Sequence, residues 1–254
     1  MNINIDFLKK DLLGCTVPIP VSGTLSGHAA GEPFDKHAFR VIKEHYPENT
    51  YRQFEFLNHL YQSNPTVTTL ADRALLIGAP ALAFLLSRGK DATLTWSASQ
   101  LFDEKQNDTA DILVLKEGFS NILDVKTFNK AKNGQPPNII SAYKLAKMCS
   151  LMIGSDRFDS HDITYIGITW EIDGKNLKCV AVDIKQLFKT SPRELYINWA
   201  AALQIQFHVA NLTQSYKGDV KEWCNEYLEN FTKQAESRLT KMQKKFIDPF
   251  KNSK

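Results

Sequence analysis

Asp111 is followed, after twelve intervening residues, by Asp124-Val125-Lys126. Two carboxylates and a lysine are the side chains that can hold a divalent cation beside a phosphodiester and steady the water that cuts it. For that chemistry the three groups must meet, so the elements between them decide whether the pattern has meaning.

Ile112 to Leu115 and Ile122-Leu123 belong to apolar runs rich in β-formers, with Lys116-Glu117-Gly118-Phe119 between them. Two such runs joined by a short Gly-containing link predict a β-hairpin. With Glu117 and Gly118 as the loop, 116 pairs with 119, and counting outward puts 111 opposite 124. The two aspartates then share one face with Cβ atoms roughly 5 Å apart. Lys126, two residues further on, points the same way. Residues 112, 114, 123 and 125 face the opposite side, which is expected to be buried. Two opposed carboxylates repel, and a divalent cation offsets this better than a lysine alone. A surface hairpin carrying an Asp–Lys–Asp ion cluster fits the same residues, and the pattern by itself leaves both readings open.

The 254 residues, 43% hydrophobic and 23% charged, allow a substantial core and describe an ordinary globular chain. A net charge of +3 permits a polyanionic partner without requiring one. Lys/Arg residues concentrate at 233, 238, 241, 244, 245, 251 and 254, against Glu236 and Asp248; this suits a phosphate-facing end or a solvated helix face. Cys15, Cys149, Cys179 and Cys224 are scattered with no C-x-x-C pair, which points to reduced thiols in a cytoplasmic protein rather than zinc ligands. The start MNINIDFLKKDLL has no uninterrupted apolar stretch typical of a secretory signal, and no apolar run is long enough to span a membrane.

No repeat and no Pro/Gly/Ser linker divides the chain, so residues 1–254 are read as a single α/β domain with a helical N-terminal part. Helices are predicted from Gly31-Glu32-Pro33 to near Pro47, from Phe54 to Tyr61, and from Ala81 to Leu86, ended by Gly89. After the hairpin and a polar stretch, Asn129 to Pro137, the positions Ile139, Ile140, Tyr143, Ala146, Cys149 and Met152 recur at helical spacing up to Gly154. Ile163–Ile172 and Leu177–Ile184 read as strands joined at Asp173-Gly174. Leu203, Ile205 and Phe207 alternate with polar residues, as in a half-exposed strand. Trp223, Tyr227, Phe231, Ala235, Leu239, Met242 and Phe246 mark a long amphipathic helix.

Several loops invite a functional reading. Gly134-Gln135-Pro136-Pro137-Asn138 is stiffened by proline; it can present amides to base edges, or serve as a helix entry capped by Asn138. Ser22 to Gly31 is small and Gly-rich but lacks the G-K-[ST] of a P-loop. Ser87-Arg88-Gly89-Lys90 places two cations at a helix end, which suits the helix dipole or a DNA phosphate. Six dispersed histidines show no H-x-x-x-H pair, and no G-x-S-x-G elbow is present.

The blocks SGTLSGHAAGEPF (22–34), FLLSRGK (84–90), EKQNDTADIL (104–113), LDVKT (123–127), PNIISAYKLA (137–146) and ELYINWAAA (194–202) resemble the HincII/HindII type II restriction endonucleases, within the PD-(D/E)xK nuclease superfamily. The similarity runs from about residue 22 to the C-terminal helix and leaves segment 1–20 poorly matched. Thr109-Ala110 precedes Asp111 where the motif's name expects proline, and Pro136 and Phe128 depart from the family's pattern.

The resemblance implies a mixed central sheet flanked by helices, with a long C-terminal helix. It implies a homodimer that uses Mg²⁺ to cut double-stranded DNA at GTYRAC, between the central pyrimidine and purine. The ends would be blunt, with 5′-phosphate and 3′-hydroxyl groups. A cognate DNA methyltransferase would be its functional partner. Asp111, Asp124 and Lys126 match the catalytic motif, with Asp111, Asp124 and the Val125 carbonyl as metal ligands. Gln135 matches the glutamine that wedges into the base stack, and Asn138, Lys90, Tyr196 and Asn198 fall at DNA-facing positions. Pyrimidine–purine steps unstack easily, so a wedge at that step accepts either Y-R combination through deformability. The alternatives are a nuclease of the same fold with different or structure-selective specificity, and a DNA-binding module with an inactive metal site.

Overall fold

Alternating apolar residues on both faces of the central strands demand cover from both sides, and the helices supply it. The computed structural model describes residues 4–20, 28–63, 78–88, 108–132, 134–200 and 203–251. Among them lie the strands β1 (Thr16–Pro18), β2 (Thr50–Tyr51), β3 (Ile112–Lys116), β4 (Phe119–Asn129), β5 (Asn138–Ser141), β6 (His161–Asp173), β7 (Asn176–Gln186), β8 (Ile197–Asn198) and β9 (Gln204–Gln206). The helices are α1 (Phe7–Leu12), α2 (His28–His45), α3 (Gln53–Ser63), α4 (Pro80–Leu86), α5 (Ala142–Ser155) and α6 (Val220–Met242), the last continued by a π turn, Gln243–Ile247, and the short α7 (Asp248–Lys251).

The described strands form a six-stranded sheet in the order β1-β7-β6-β4-β3-β2 and a three-stranded sheet in the order β5-β9-β8. In the larger sheet β4 and β6 run parallel, connected through α5, while its other pairs are antiparallel. This is the mixed sheet with flanking helices expected of the fold.

The β3–β4 hairpin has the expected register, from Lys116↔Phe119 to Ile112↔Leu123. Glu117 (φ 50°) and Gly118 (φ 80°) both adopt positive φ, as a two-residue type I′ turn requires. Ile112, Val114, Leu123 and Val125 are buried against α1 and α2. The opposite face is buried as well: Leu113 and Ile122 pack with α4, α5 and α6. The hairpin is therefore a central element covered on both sides, and its polar end opens at the rim of the sheet.

Several boundaries differ from the expectation. Helix α2 begins at His28, with Pro33 inside it rather than at its entry. Ile139 and Ile140 lie in β5, and α5 starts later, capped by Ser141, whose Oγ accepts from Lys144 N. Asn138 is therefore not the helix cap. The β6–β7 turn falls at Gly174-Lys175, because Asp173 pairs with Asn176. Gly89, the expected stop of α4, and the loop 22–27 lie outside the described residues.

Helix α6 opens with a capping box between Asp219 and Glu222. Trp223, Cys224 and Tyr227 are buried, and Tyr227 Oη donates to Ala142 O at 3.0 Å. This contact ties α6 to the start of α5. Further along, Leu239, Met242, Phe246, Ile247 and Phe250 are exposed. Among the described residues no helix is long and apolar enough to cross a membrane.

Candidate active site

One step beyond the Ile112↔Leu123 pair, Asp111 stands opposite Asp124. Val125 N donates to Asp111 Oδ2 at 2.7 Å. Lys126 Nζ donates to Asp124 Oδ1. The hairpin thus brings the three sequence-selected side chains together. Strand β4 continues past the start of β3, so this cluster projects from the end of a rigid pair.

Neighbouring elements hold Asp111 from behind. Arg52 Nη1 donates to Asp111 O and to Asp35 Oδ1, both at 2.9 Å. Gln53, 1% exposed, accepts from Thr109 N and Ala110 N at 3.0 Å through Oε1. Its Nε2 donates to Leu86 O and Asp108 Oδ1. Helix α3 therefore fixes the backbone entering Asp111. Nothing in the local sequence marks Arg52 or Gln53, because their partners lie on distant segments. Helix α2 passes close to β4 on the same side: a Cβ at Gly31 would stand 3.1 Å from Thr127 Oγ1.

A cleft of about 1170 Å³ opens here, lined among others by Asp111, Asp124, Lys126, Asn138, Lys144 and Tyr165. Burial pushes the Asp124 carboxyl up to about 8; Lys126 pulls it down, and Asp111 pushes it further up. Burial alone would lower the Lys126 ammonium, but the Asp124 and Asp111 carboxylates outweigh it and hold the lysine above its ordinary value. The buried Asp124 carboxylate is short of positive charge even with Lys126 in contact.

That shortage is what a cation relieves. Two carboxylates and a backbone carbonyl are hard oxygen donors, and an open cleft leaves further positions for water, a set suited to Mg²⁺. Val125 has a carbonyl on that side: a strand residue sends its N–H and C=O to the same side, and the Val125 N–H points to Asp111. Among the described residues no three acidic, histidine or cysteine side chains are grouped so that they could hold a metal ion by themselves.

The sequence profile of the family described as restriction endonuclease HincII matches residues 8–253. The chain belongs to the HincII restriction endonuclease family. It is 52% identical over 244 residues to the type II restriction enzyme HindII of Haemophilus influenzae (strain ATCC 51907 / DSM 11121 / KW20 / Rd), covering 96% of this chain and 95% of that protein. The type II restriction enzyme HincII of Haemophilus influenzae matches with the same identity and coverage.

The positions that the HincII resemblance marks as DNA-facing are distributed as follows. Asn138 in β5 and Asn198 in β8 sit on the smaller sheet, joined through Gln206: Asn198 Nδ2 donates to Gln206 Oε1 at 2.8 Å, and Gln206 Nε2 donates to Asn138 Oδ1 at 2.7 Å. In the sequence Gln206 is only one of the polar residues that alternate with Leu203, Ile205 and Phe207. Tyr196 is 64% exposed beside β8. Gln135 is exposed in the stretch between β4 and β5 and is not among the residues that line the cleft. Lys90 lies outside the described residues.

Proposed function

We propose that this member of the HincII restriction endonuclease family cuts duplex DNA at GTYRAC, at the central Y-R step, leaving blunt ends. As a restriction endonuclease it is a site-specific deoxyribonuclease, a phosphodiester hydrolase. The observation that carries the reading is the convergence of Asp111, Asp124 and Lys126 at the mouth of one cleft.

Asp111, Asp124 and the Val125 carbonyl would hold Mg²⁺, which when bound draws charge from the scissile phosphate and makes a bound water more acidic. Lys126, held against Asp124, orients the attacking water and offsets charge that builds on the phosphate oxygens. In-line attack breaks the P–O3′ bond, and the leaving oxygen takes a proton to become the 3′-hydroxyl. Arg52 and Gln53 keep Asp111 in place during these changes.

A two-fold palindrome is matched by a two-fold protein, each subunit cutting one strand. The exposed Leu239, Met242, Phe246 and Phe250 give such a homodimer apolar surface to bury. Gln135 is exposed and free to reach the central step, and the Asn138–Gln206–Asn198 amides are groups able both to donate and to accept at bases. A DNA methyltransferase of the same specificity would protect the host's own sites. The free thiols support a cytoplasmic setting.

Digestion of a plasmid of known sequence, with Mg²⁺ and with Ca²⁺, tests the reading. Discrete Mg²⁺-dependent fragments with blunt ends mapping to GTYRAC are expected. Ends that map elsewhere would overturn the specificity, and a lack of fragments under any divalent metal would overturn the mechanism.

A further inference from the structure

Lys144 is the third residue of α5 and a half-buried wall of the cleft. Its Nζ donates to Thr109 Oγ1 at 3.2 Å, and that hydroxyl in turn donates to Leu85 O. Among the described residues no carboxylate pairs with it. The nearby Asp108 is engaged by Arg88 and by Gln53, and Asp124 by Lys126. An ammonium ion withdrawn from water without a counter-charge is unfavourable. Burial accordingly depresses the Lys144 ammonium, more than Asp108 and Asp124 restore it.

Two further features belong to the same cleft. Helix α5 has 14 residues and no acidic side chain in its first turn, so its dipole leaves partial positive charge at that end, where Ser141 Oγ and Leu203 O accept from the Lys144 and Ala142 N–H groups. Tyr165, 1% exposed, lies beside Asp124 in the parallel β4–β6 register and lines the cleft; among the described residues its hydroxyl has no hydrogen-bond partner. A buried hydroxyl left unpaired is unfavourable unless something in the cleft accepts from it. A cation, a helix N-terminus and a spare donor together specify an anion with several acceptor oxygens.

We infer that Lys144, Tyr165 and the N-terminal end of α5 form a second phosphate subsite, holding a phosphodiester of the cut strand next to the scissile one. Lys126 serves the scissile phosphate from β4, while Lys144 faces the cleft from α5. One DNA backbone passing both groups presents successive phosphates to them. Holding two points of the strand fixes its direction through the cleft, which in-line attack requires.

The inference rests on the reading that the DNA backbone lies in this cleft. The test is equilibrium binding in Ca²⁺ of GTYRAC duplexes, each with a single neutral methylphosphonate moved along the cut strand. For the wild type, neutralising the scissile phosphate and one neighbour should each weaken binding about tenfold. Lys144→Gln should weaken binding of the unmodified duplex about tenfold and become indifferent to that neighbour, while Lys144→Arg stays close to the wild type. Tyr165→Phe should bind more weakly yet melt at a higher temperature, since it removes an unpaired buried hydroxyl; a purely structural residue would move both in one direction. A Lys144→Gln variant that loses equally on every duplex, or a Tyr165→Phe variant that binds as tightly as the wild type, overturns the inference. A wild type indifferent to the scissile methylphosphonate overturns the reading of the cleft itself.

Discussion

The carboxylate of Asp111 reaches across the hairpin and accepts the Val125 N–H at 2.7 Å. The bond closes the β3–β4 ladder one rung beyond the paired strands, so a side chain stands where a backbone carbonyl would continue the sheet. It fixes one oxygen of Asp111 and aims the Val125 carbonyl to the same side, setting two candidate metal donors with a single contact.

Asp111→Asn keeps an acceptor for Val125 N and removes the charge. Cleavage is expected to fall about a thousandfold, the several kcal/mol that a well-placed metal ion contributes to the transition state. Above about pH 8, where Asp124 is ionised, the metal-free protein should instead gain stability, because the Asp111 charge is one of the influences that make Asp124 hard to ionise. A rise in melting temperature of about 2–4 °C corresponds to roughly 1 kcal/mol in a chain of this size. Single-turnover cleavage and thermal melts on one preparation check both, and a variant that is both inactive and destabilised would count against this account.

Asp124 sets a pH dependence whose sign can be worked out. Its carboxyl sits near 8 in the fold, against an ordinary 3.8, so between about 4 and 8 the folded chain holds a proton that the unfolded chain releases. This group's contribution to stability is therefore full below pH 4 and is lost as pH rises towards 8. Cation binding needs the carboxylate and pulls the other way. At limiting Mg²⁺, cleavage should climb up to about pH 8, and raising Mg²⁺ should shift the midpoint of that climb to lower pH. A midpoint insensitive to Mg²⁺ would assign the profile to another group.

How much of this was legible beforehand depends on the range of the interaction. The hairpin register was readable because alternation has period two and Glu117-Gly118 suits a turn with two positive φ angles. The start of α5 was not, because Ile139 and Ile140 satisfy helical and strand spacing equally. What decides for a strand is pairing with Gln204–Gln206, far along the chain. Gln53, Arg52 and Lys144 were invisible for the same reason: each is an ordinary residue until folding brings Thr109, Asp111 or the cleft beside it. The apolar spacing of α6 reads correctly as amphipathic, yet among the described residues its late apolar side chains Leu239 and Met242 stay exposed, since periodicity reports a face and not what buries it.

His161 gives a second pH signature, opposite in sign. Burial pushes its imidazole down to about 4; Nδ1 meets Ser160 Oγ at 2.9 Å, and among the described residues Nε2 has no partner. Its folded value lies below the ordinary 6.5, so stability from this group is full above 6.5 and is lost as pH falls to 4, by up to about 3 kcal/mol. An NMR titration of the imidazole protons should show a neutral ring at pH 6. A midpoint at or above 6 would show that the ring reaches water or a carboxylate.

Gln53 offers a test of how the site is held, separate from the groups placed in the chemistry. Its amide oxygen satisfies two backbone N–H groups leading into Asp111, and its amide nitrogen satisfies Leu86 O and Asp108. Gln53→Met fills similar space and answers none of these groups, leaving buried donors unpaired. A loss of about 3 kcal/mol is expected, roughly 6–12 °C in melting temperature. Because the segment 108–110 delivers Asp111 to the cleft, cleavage should fall more than the folded fraction does at a temperature where the variant remains folded. Gln53→Glu keeps the two acceptor positions and so should recover part of the cleavage while remaining less stable than the wild type, since it cannot donate to Leu86 O. Equal loss of cleavage in both variants would separate the Thr109 and Ala110 hydrogen bonds from the placement of Asp111.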